Sequence, residues 1–328
     1  MNPCKMIIGR ISMLENFIIY LASFIGIWIG AGLAIKSVEK LSRSLRISSF
    51  IVSFLVLGFF TSVSELSVGV NAVMVNDPEI YVGNLIGASL VIFLMIIPLL
   101  AIGANGLKIN QGFQGLNLLV SVIVIAAPAI LSMDGKIDRF DSIIAIILYF
   151  FLVICIQTKK NLLESVANLK KSQSTKLLRE LVKIILGIII IFIASRFIVD
   201  QTLYFSKALQ ISPFLISLLL ISIGTNIPEL SLTVRSIFMK NNQIAFGDYV
   251  GSAAFNTFLF GLLTLVYGKP VYLTNSYFGS LLFLGAGLLI FYYLAKKDHV
   301  ISRVDGLVLL LIYVAFLLVE IVLGKASA

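Results

Sequence analysis

Histidine is almost missing from this chain: His299 is the only one in 328 residues, and there are two cysteines, Cys4 and Cys155. Zinc and copper centres draw their ligands from clusters of those residue types, so that chemistry has no obvious ligands here. One cysteine near the terminus and one inside an apolar run make no disulfide framework, and both are read as free thiols. Nucleophile–base catalysis lacks its usual imidazole, and an enzyme is not expected. Charge is scarce as well, 12% of residues against roughly 25% in an ordinary soluble domain. The net charge of +9 would suit nucleic acid. The basic residues, however, fall between apolar spans, where membrane topology accounts for them, so no nucleic-acid partner is expected. No small-residue cleavage pattern follows Lys5 and Arg10, so a removable signal peptide is not expected either.

What is abundant is hydrocarbon. Hydrophobic residues make up 59% of the chain, and apolar runs long enough to cross a bilayer as a helix of about 20 residues recur throughout. The runs predict an all-α polytopic membrane protein with ten spans, near 14–35, 49–75, 79–104, 115–133, 140–158, 180–200, 210–236, 243–267, 274–295 and 303–323. A basic connection over 159–179 separates residues 1–158 from 180–328, giving two halves of five spans each. The connections after odd-numbered spans carry 17 of the 25 Lys and Arg residues. The positive-inside rule therefore puts the 159–179 linker in the cytoplasm and both termini outside, as in a plasma-membrane protein. An odd number of spans per half also means that the second half crosses the membrane in the opposite sense to the first. Inverted repeats of that kind bind their cargo near the midplane, where helices are interrupted.

One motif is written twice, 164 residues apart. Thr61-Ser62-Val63-Ser64-Glu65-Leu66-Ser67 leads to Gly83-Asn84-Leu85-Ile86-Gly87. Thr225-Asn226-Ile227-Pro228-Glu229-Leu230-Ser231 leads to Gly247-Asp248-Tyr249-Val250-Gly251. Each copy sets a glutamate inside an apolar run. On insertion scales an intramembrane acid costs about 2.5–3.5 kcal/mol, so a matched pair points to one shared cation site. Pro228 withholds a helical hydrogen bond beside Glu229; Ser64 takes its place in the first copy, so the break there must be milder or come from elsewhere. Thr61, Ser62, Thr225, Asn226, Ser252 and Asn256 all offer oxygen, which suits calcium, with its 6–8 oxygen ligands, and other hard cations. Ser252 and Asn256 lie four apart, on one helix face, whereas their counterparts Ala88 and Ile92 carry no side-chain oxygen. The site is expected to be lopsided.

These motifs resemble the alpha repeats of the cation/calcium exchanger superfamily, especially its microbial sodium/calcium exchanger branch. Gly224-Thr225-Asn226-Ile227-Pro228-Glu229 with Gly251-Ser252 and Asn256 carries the stronger likeness, and the Thr61–Glu65 copy the weaker. The resemblance implies a secondary antiporter that exchanges calcium for sodium by alternating access, with spans one and six sliding against the other eight. It implies Glu65 and Glu229 as central calcium ligands, joined by the backbone carbonyls of Thr61 and Thr225. It implies Ser62, Asn226, Ser252 and Asn256 at sodium positions, with backbone oxygens at Gly58 and Ser222. No cofactor is implied beyond the transported calcium and sodium, and no partner beyond the bilayer; a monomer is compatible with this. Ala88, Ile92, Asn256 and Ser64 depart from the usual pattern, which leaves fewer sodium ions, proton coupling or a non-transporting cation-binding relative as alternatives.

Plainer roles stand beside these. Asn84 and Asp248 serve as helix N-caps as readily as ion contacts, and Ser252 and Asn256 as interhelical hydrogen bonds. Gly83, Gly87, Gly247 and Gly251 recur every four residues, a spacing suited to close helix approach. Glu320, Arg196 and Arg235 are expected to snorkel toward the interface, and Trp28 to face lipid or to pack.

Overall fold

In the computed structural model the described residues are 3–44, 54, 58–109, 113–157, 174–239, 242–273 and 278–326. Almost everything is helix. The elements are α1 (Pro3–Ser44), α2 (Gly58–Thr61), α3 (Val63–Met74), α4 (Glu79–Val91), a π-helical turn (Ile92–Ile96), α5 (Ile97–Gly103), α6 (Leu116–Leu131) and α7 (Arg139–Gln157). Then follow α8 (Ser174–Leu209), α9 (Pro213–Ile216), a second π-helical turn (Ser217–Ile221), α10 (Ser222–Thr225), α11 (Ile227–Met239), α12 (Asn242–Tyr267), α13 (Phe278–Asp298) and α14 (Arg303–Ala326).

Six helices among the described residues are long and apolar enough to cross a membrane, seven if the bent pair Pro213–Thr225 and Ile227–Phe238 is one span. The expected span over 49–75 runs partly through residues outside the described set, and that over 115–133 falls on the 16-residue α6. The expected span over 180–200 begins earlier than its apolar run, because α8 starts at Ser174 and takes in the end of the basic linker. The rest of that linker, residues 158–173, lies outside the described residues.

The offset of 164 recurs in the backbone. It carries β1 (Leu107–Lys108) onto β3 (Val271–Tyr272), β2 (Lys136–Ile137) onto β4 (Val300–Ile301), and the first residue of α7 onto that of α14. The strands pair across the halves: Leu107 with Ile301 and Lys108 with Val300, then Ile137 with Val271 and Lys136 with Tyr272. Shifting the first ribbon by 164 and exchanging partners reproduces the second. The flanking bonds match as well, Ile109 N–H to the His299 carbonyl at 2.8 Å and Leu273 N–H to the Gly135 carbonyl at 2.9 Å. His299 has φ 53° where Gly135 has φ 78°, so the only histidine fills a left-handed turn rather than a site.

Depth is graded by element. Residues 79–91 are all buried, and α12 is nearly so from Ala245 to Leu263. These two helices form the interior. Leu14, Phe17, Ile25 and Trp28 of α1, Ile189 and Phe197 of α8, and Ile147 and Phe151 of α7 stay exposed, which is the apolar face a bilayer covers. α1 and α8 lie against one another. Cβ atoms at Gly26 and Gly30 would press on Ala194 and on the Gly187 carbonyl, so these helices meet where side chains are smallest.

One expectation for the helix ends changes. Glu320 does not snorkel: it is 1% exposed and accepts a 2.6 Å hydrogen bond from the Ser280 hydroxyl, joining α13 to α14. A hydroxyl within reach in hydrocarbon outcompetes a long route to water. Arg196 is part-exposed and holds Asp200 at 3.3 Å, one turn along α8. The Arg235 side chain lies outside the described set.

Candidate functional site

Both motif copies interrupt their helix at the same register. α2 stops at Thr61 and α3 starts at Val63, with Ser62 between at φ −75°, ψ 5°. α10 stops at Thr225 and α11 starts at Ile227, with Asn226 at φ −91°, ψ 11°. The bend in the second copy is 41°. Glu65 and Glu229 thus each occupy the third position of a new half-helix, in the first turn, where the helix dipole favours negative charge. Pro228 is not what sets the register, because the first copy breaks at the equivalent residue without a proline. At each break a side chain bonds back one turn. Ser62 donates to the Gly58 carbonyl at 2.9 Å, and Asn226 Nδ2 donates to the Ser222 carbonyl at 2.7 Å. The backbone oxygens expected at Gly58 and Ser222 are therefore engaged within their own turns.

The broken helices lie against the two interior helices at van der Waals contact of backbone on backbone. A Cβ on Gly87 would meet the Leu218 carbonyl and one on Gly251 the Phe54 carbonyl, equivalent contacts in the two halves. Gly83 abuts the Phe214 carbonyl, and a Cβ on Gly58 would stand 2.7 Å from Gly251. At Gly83, Gly87 and Gly251 the spacing-by-four is thus close helix approach. Asn84 and Asp248 sit one or more turns inside α4 and α12 rather than at their starts, so they are not N-caps. They take part in a matched cross-half pair instead. Thr61 Oγ1 donates to Asp248 Oδ1 at 3.2 Å, and Thr225 Oγ1 donates to Asn84 Oδ1 at 3.3 Å.

The oxygens converge around Ser64. Its hydroxyl lies 2.9 Å from Glu65 Oε2, 3.0 Å from the Thr61 carbonyl and 3.3 Å from the Thr225 carbonyl. Three of the four residues expected to hold calcium therefore meet at one buried point drawn from both halves. Glu229 is the fourth. It is fully buried, within electrostatic reach of Glu65 and Asp248 and beside the Thr61 side chain, and neither of its carboxylate oxygens has a hydrogen bond. Its main-chain carbonyl is held by the Thr233 hydroxyl at 3.0 Å and the Tyr249 hydroxyl at 3.2 Å. Among the described residues no three His, Cys, Asp or Glu side chains stand close enough to hold a metal by themselves. A cation here would need hydroxyl, amide and main-chain oxygens beside the two glutamates, which is the donor set of a hard ion.

The expected sodium positions divide by half. Ser62 Oγ and Ser252 Oγ are 2.9 Å apart. The equivalent pair in the other half is Asn226 with Ala88, and Asn226 Oδ1 has no hydrogen bond. Asn256 is 1% exposed with both amide atoms unpartnered, while its counterpart Ile92 is apolar and fully buried. The lopsidedness read from the sequence is physical. Sequence reasoning noted Ser64 only as a departure and missed the Thr233–Tyr249 clamp; Tyr249 beside Asp248 in the motif was the one available signal.

Broken helices inserted between buried helices, with acids at the breaks, are the build of a membrane transporter. Residues 15–157 and 180–322 both match the family described as sodium/calcium exchanger protein, and the chain belongs to that family. The sodium/calcium exchanger MaX1 of Methanosarcina acetivorans is 30% identical over 142 residues, 43% of this chain and 40% of that protein. An uncharacterized membrane protein of Methanocaldococcus jannaschii is 24% identical over 233 residues, 71% of this chain and 76% of that one. The fold matches a solved structure of the sodium-calcium exchanger NCX_Mj, soaked with sodium and strontium, at a TM-score of 0.69. That match has 21% identity and covers 93% of this chain and 98% of the other.

Proposed function

We propose that this chain is a secondary antiporter that exchanges calcium for sodium by alternating access, at one site shared by two inverted five-span halves. Residues 1–158 and 180–328 form the halves, and 159–179 is their cytoplasmic linker. The cross-half duplications support the inversion: the two ribbons and the pair Thr61–Asp248 and Thr225–Asn84 interchange under a shift of 164. Five spans per half make ten in this scheme, with the termini outside a plasma membrane, the orientation that the charge distribution supports. One chain carries both halves of the site, so a monomer suffices.

One observation carries the proposal. The Glu65 carboxylate and the Thr61 and Thr225 carbonyls crowd within 3.3 Å of a single buried hydroxyl, and Glu229 lies nearby without a hydrogen bond. Two carboxylates balance one divalent ion. An empty, doubly ionised site in low dielectric is costly, so departure of calcium favours entry of monovalent cations. In this scheme Glu65 and Glu229, with the Thr61 and Thr225 carbonyls, hold calcium; Ser62, Asn226, Ser252 and Asn256 contribute to sodium positions.

The asymmetry favours a variant of the same scheme. With Ala88 and Ile92 opposite Ser252 and Asn256, the first half offers a sodium ion fewer ligands, so coupling is to fewer sodium ions or to protons. Calcium-45 uptake into proteoliposomes under imposed sodium, potassium and proton gradients in turn tests both forms. Uptake driven by none of the three removes the antiporter proposal, and three sodium ions per calcium, read from charge movement, removes the variant.

A further inference from the structure

We infer that the Ser64 hydroxyl is itself a ligand of the cation bound between the halves and helps set selectivity for calcium over sodium. This rests on the proposed function and concerns a residue the two motif copies do not share, since the equivalent of Ser64 is Pro228. Ser64 has more acceptors around it than protons to give. Ser64 Oγ has three oxygen neighbours, Glu65 Oε2 at 2.9 Å, the Thr61 carbonyl at 3.0 Å and the Thr225 carbonyl at 3.3 Å. With Glu65 ionised, as it must be to hold a cation, the carboxylate and the two carbonyls only accept, and Ser64 has one proton to donate. At any instant two of the three contacts set lone pair against lone pair. Ser64 is fully buried, so water does not relieve the crowding.

A hard cation resolves it. Oxygens bound to one calcium at about 2.3–2.6 Å stand roughly 3 Å from one another, the spacing found here. The hydroxyl would then donate its proton to Glu65 Oε2, the shortest of the three contacts and the only charged acceptor. Its lone pairs would turn to the ion beside the two carbonyls. Glu65 Oε1, buried and without a hydrogen bond, remains available to the same ion. Proline at 64 would offer no such oxygen. Serine therefore replaces a residue that only shapes the helix with one that adds a neutral donor, at a place where the break holds its register without proline. An added neutral oxygen favours the ion that takes more ligands, calcium.

The test compares wild type with Ser64→Ala, Ser64→Thr and Ser64→Pro in the reconstituted full chain. Two readouts are used: the calcium and sodium concentrations giving half-maximal exchange, and the shift of thermal unfolding produced by each ion alone. Ser64→Ala and Ser64→Pro are expected to raise the calcium half-point about tenfold, with a smaller change for sodium, and to lose the matching calcium protection. Ser64→Thr, which keeps the hydroxyl, is expected to restore both. An unchanged calcium half-point in Ser64→Ala overturns the inference, and so does a Ser64→Thr protein as impaired as Ser64→Ala. Failure of wild type to exchange calcium would overturn the proposed function instead. Calcium protection lost in Ser64→Ala but not in Ser64→Thr would still support ligation by the hydroxyl.

Discussion

Replacing Glu229 by glutamine should push stability and affinity in opposite directions. The carboxylate is fully buried, has no hydrogen bond on either oxygen, and lies in the field of Glu65 and Asp248. Ionised without a cation it strains the fold, and an isosteric neutral group removes that charge where it is least compensated. A buried polar group left without a partner costs about 1–3 kcal/mol and a charged one more, so the amide lowers that cost without removing it. The bound state moves the other way. A carboxylate about 2.4 Å from a divalent ion gains roughly 14 kcal/mol at an effective dielectric near 20, most of it offset by desolvation of both charges. Retaining a fifth of that, ~3 kcal/mol, corresponds to a loss of calcium affinity of more than about a hundredfold. The assay is thermal unfolding of the reconstituted variant in chelator and then across a calcium titration, with calcium-45 uptake in parallel. The expected result is a higher unfolding temperature in chelator than wild type, no calcium protection and no uptake. A variant that unfolds earlier in chelator yet takes up calcium normally would show that Glu229 is a structural acid, and the shared site would be lost with it.

Three further outcomes follow from the geometry. Gly87→Ala drives a methyl into the Leu218 carbonyl and is expected to destabilise by about 1–3 kcal/mol and slow uptake, whereas Gly285→Ala, with nothing within 4 Å, is expected to leave both unchanged. Parallel unfolding and uptake measurements compare them. Glu320→Ala strands the buried Ser280 hydroxyl and should cost about 1–3 kcal/mol, while Glu320→Gln keeps an acceptor and should cost less; unfolding in detergent reads the difference. Asp77, in the turn between α3 and α4, is pushed up to about 6 by burial and then by Glu79, with Lys207 opposing. The folded state therefore holds this proton more tightly than the unfolded chain, so stability should fall as pH rises from about 4 to about 6. Asp77→Asn should flatten unfolding temperature against pH across that window, and an undiminished slope would locate the titration elsewhere.

Much of this protein was decided by composition and spacing alone. Long apolar runs with few charges admit only a membrane solution, because backbone polar groups in hydrocarbon must pair within helices. Two glutamates 164 residues apart in matching contexts marked the proposed site, and Ala88 and Ile92 its asymmetry, since such features belong to residue type and order. What needed the tertiary structure was every relation between distant segments. Proline suggested the cause of the helix break, but the first copy breaks without one, and what both copies share is Ser62 or Asn226 bonded to a carbonyl one turn back. Asn84 and Asp248 read equally as caps, and only the packing of α4 against α10 and of α12 against α2 turned them into acceptors for Thr225 and Thr61. Glu320 looked like an interfacial acid until Ser280, forty residues away, supplied a buried partner. Ser64 looked like a missing proline until three oxygens from two halves closed around it. Helix and membrane preference are local and sum along a chain. Which oxygen faces which proton is set by how two halves cross, and no window of sequence contains that crossing.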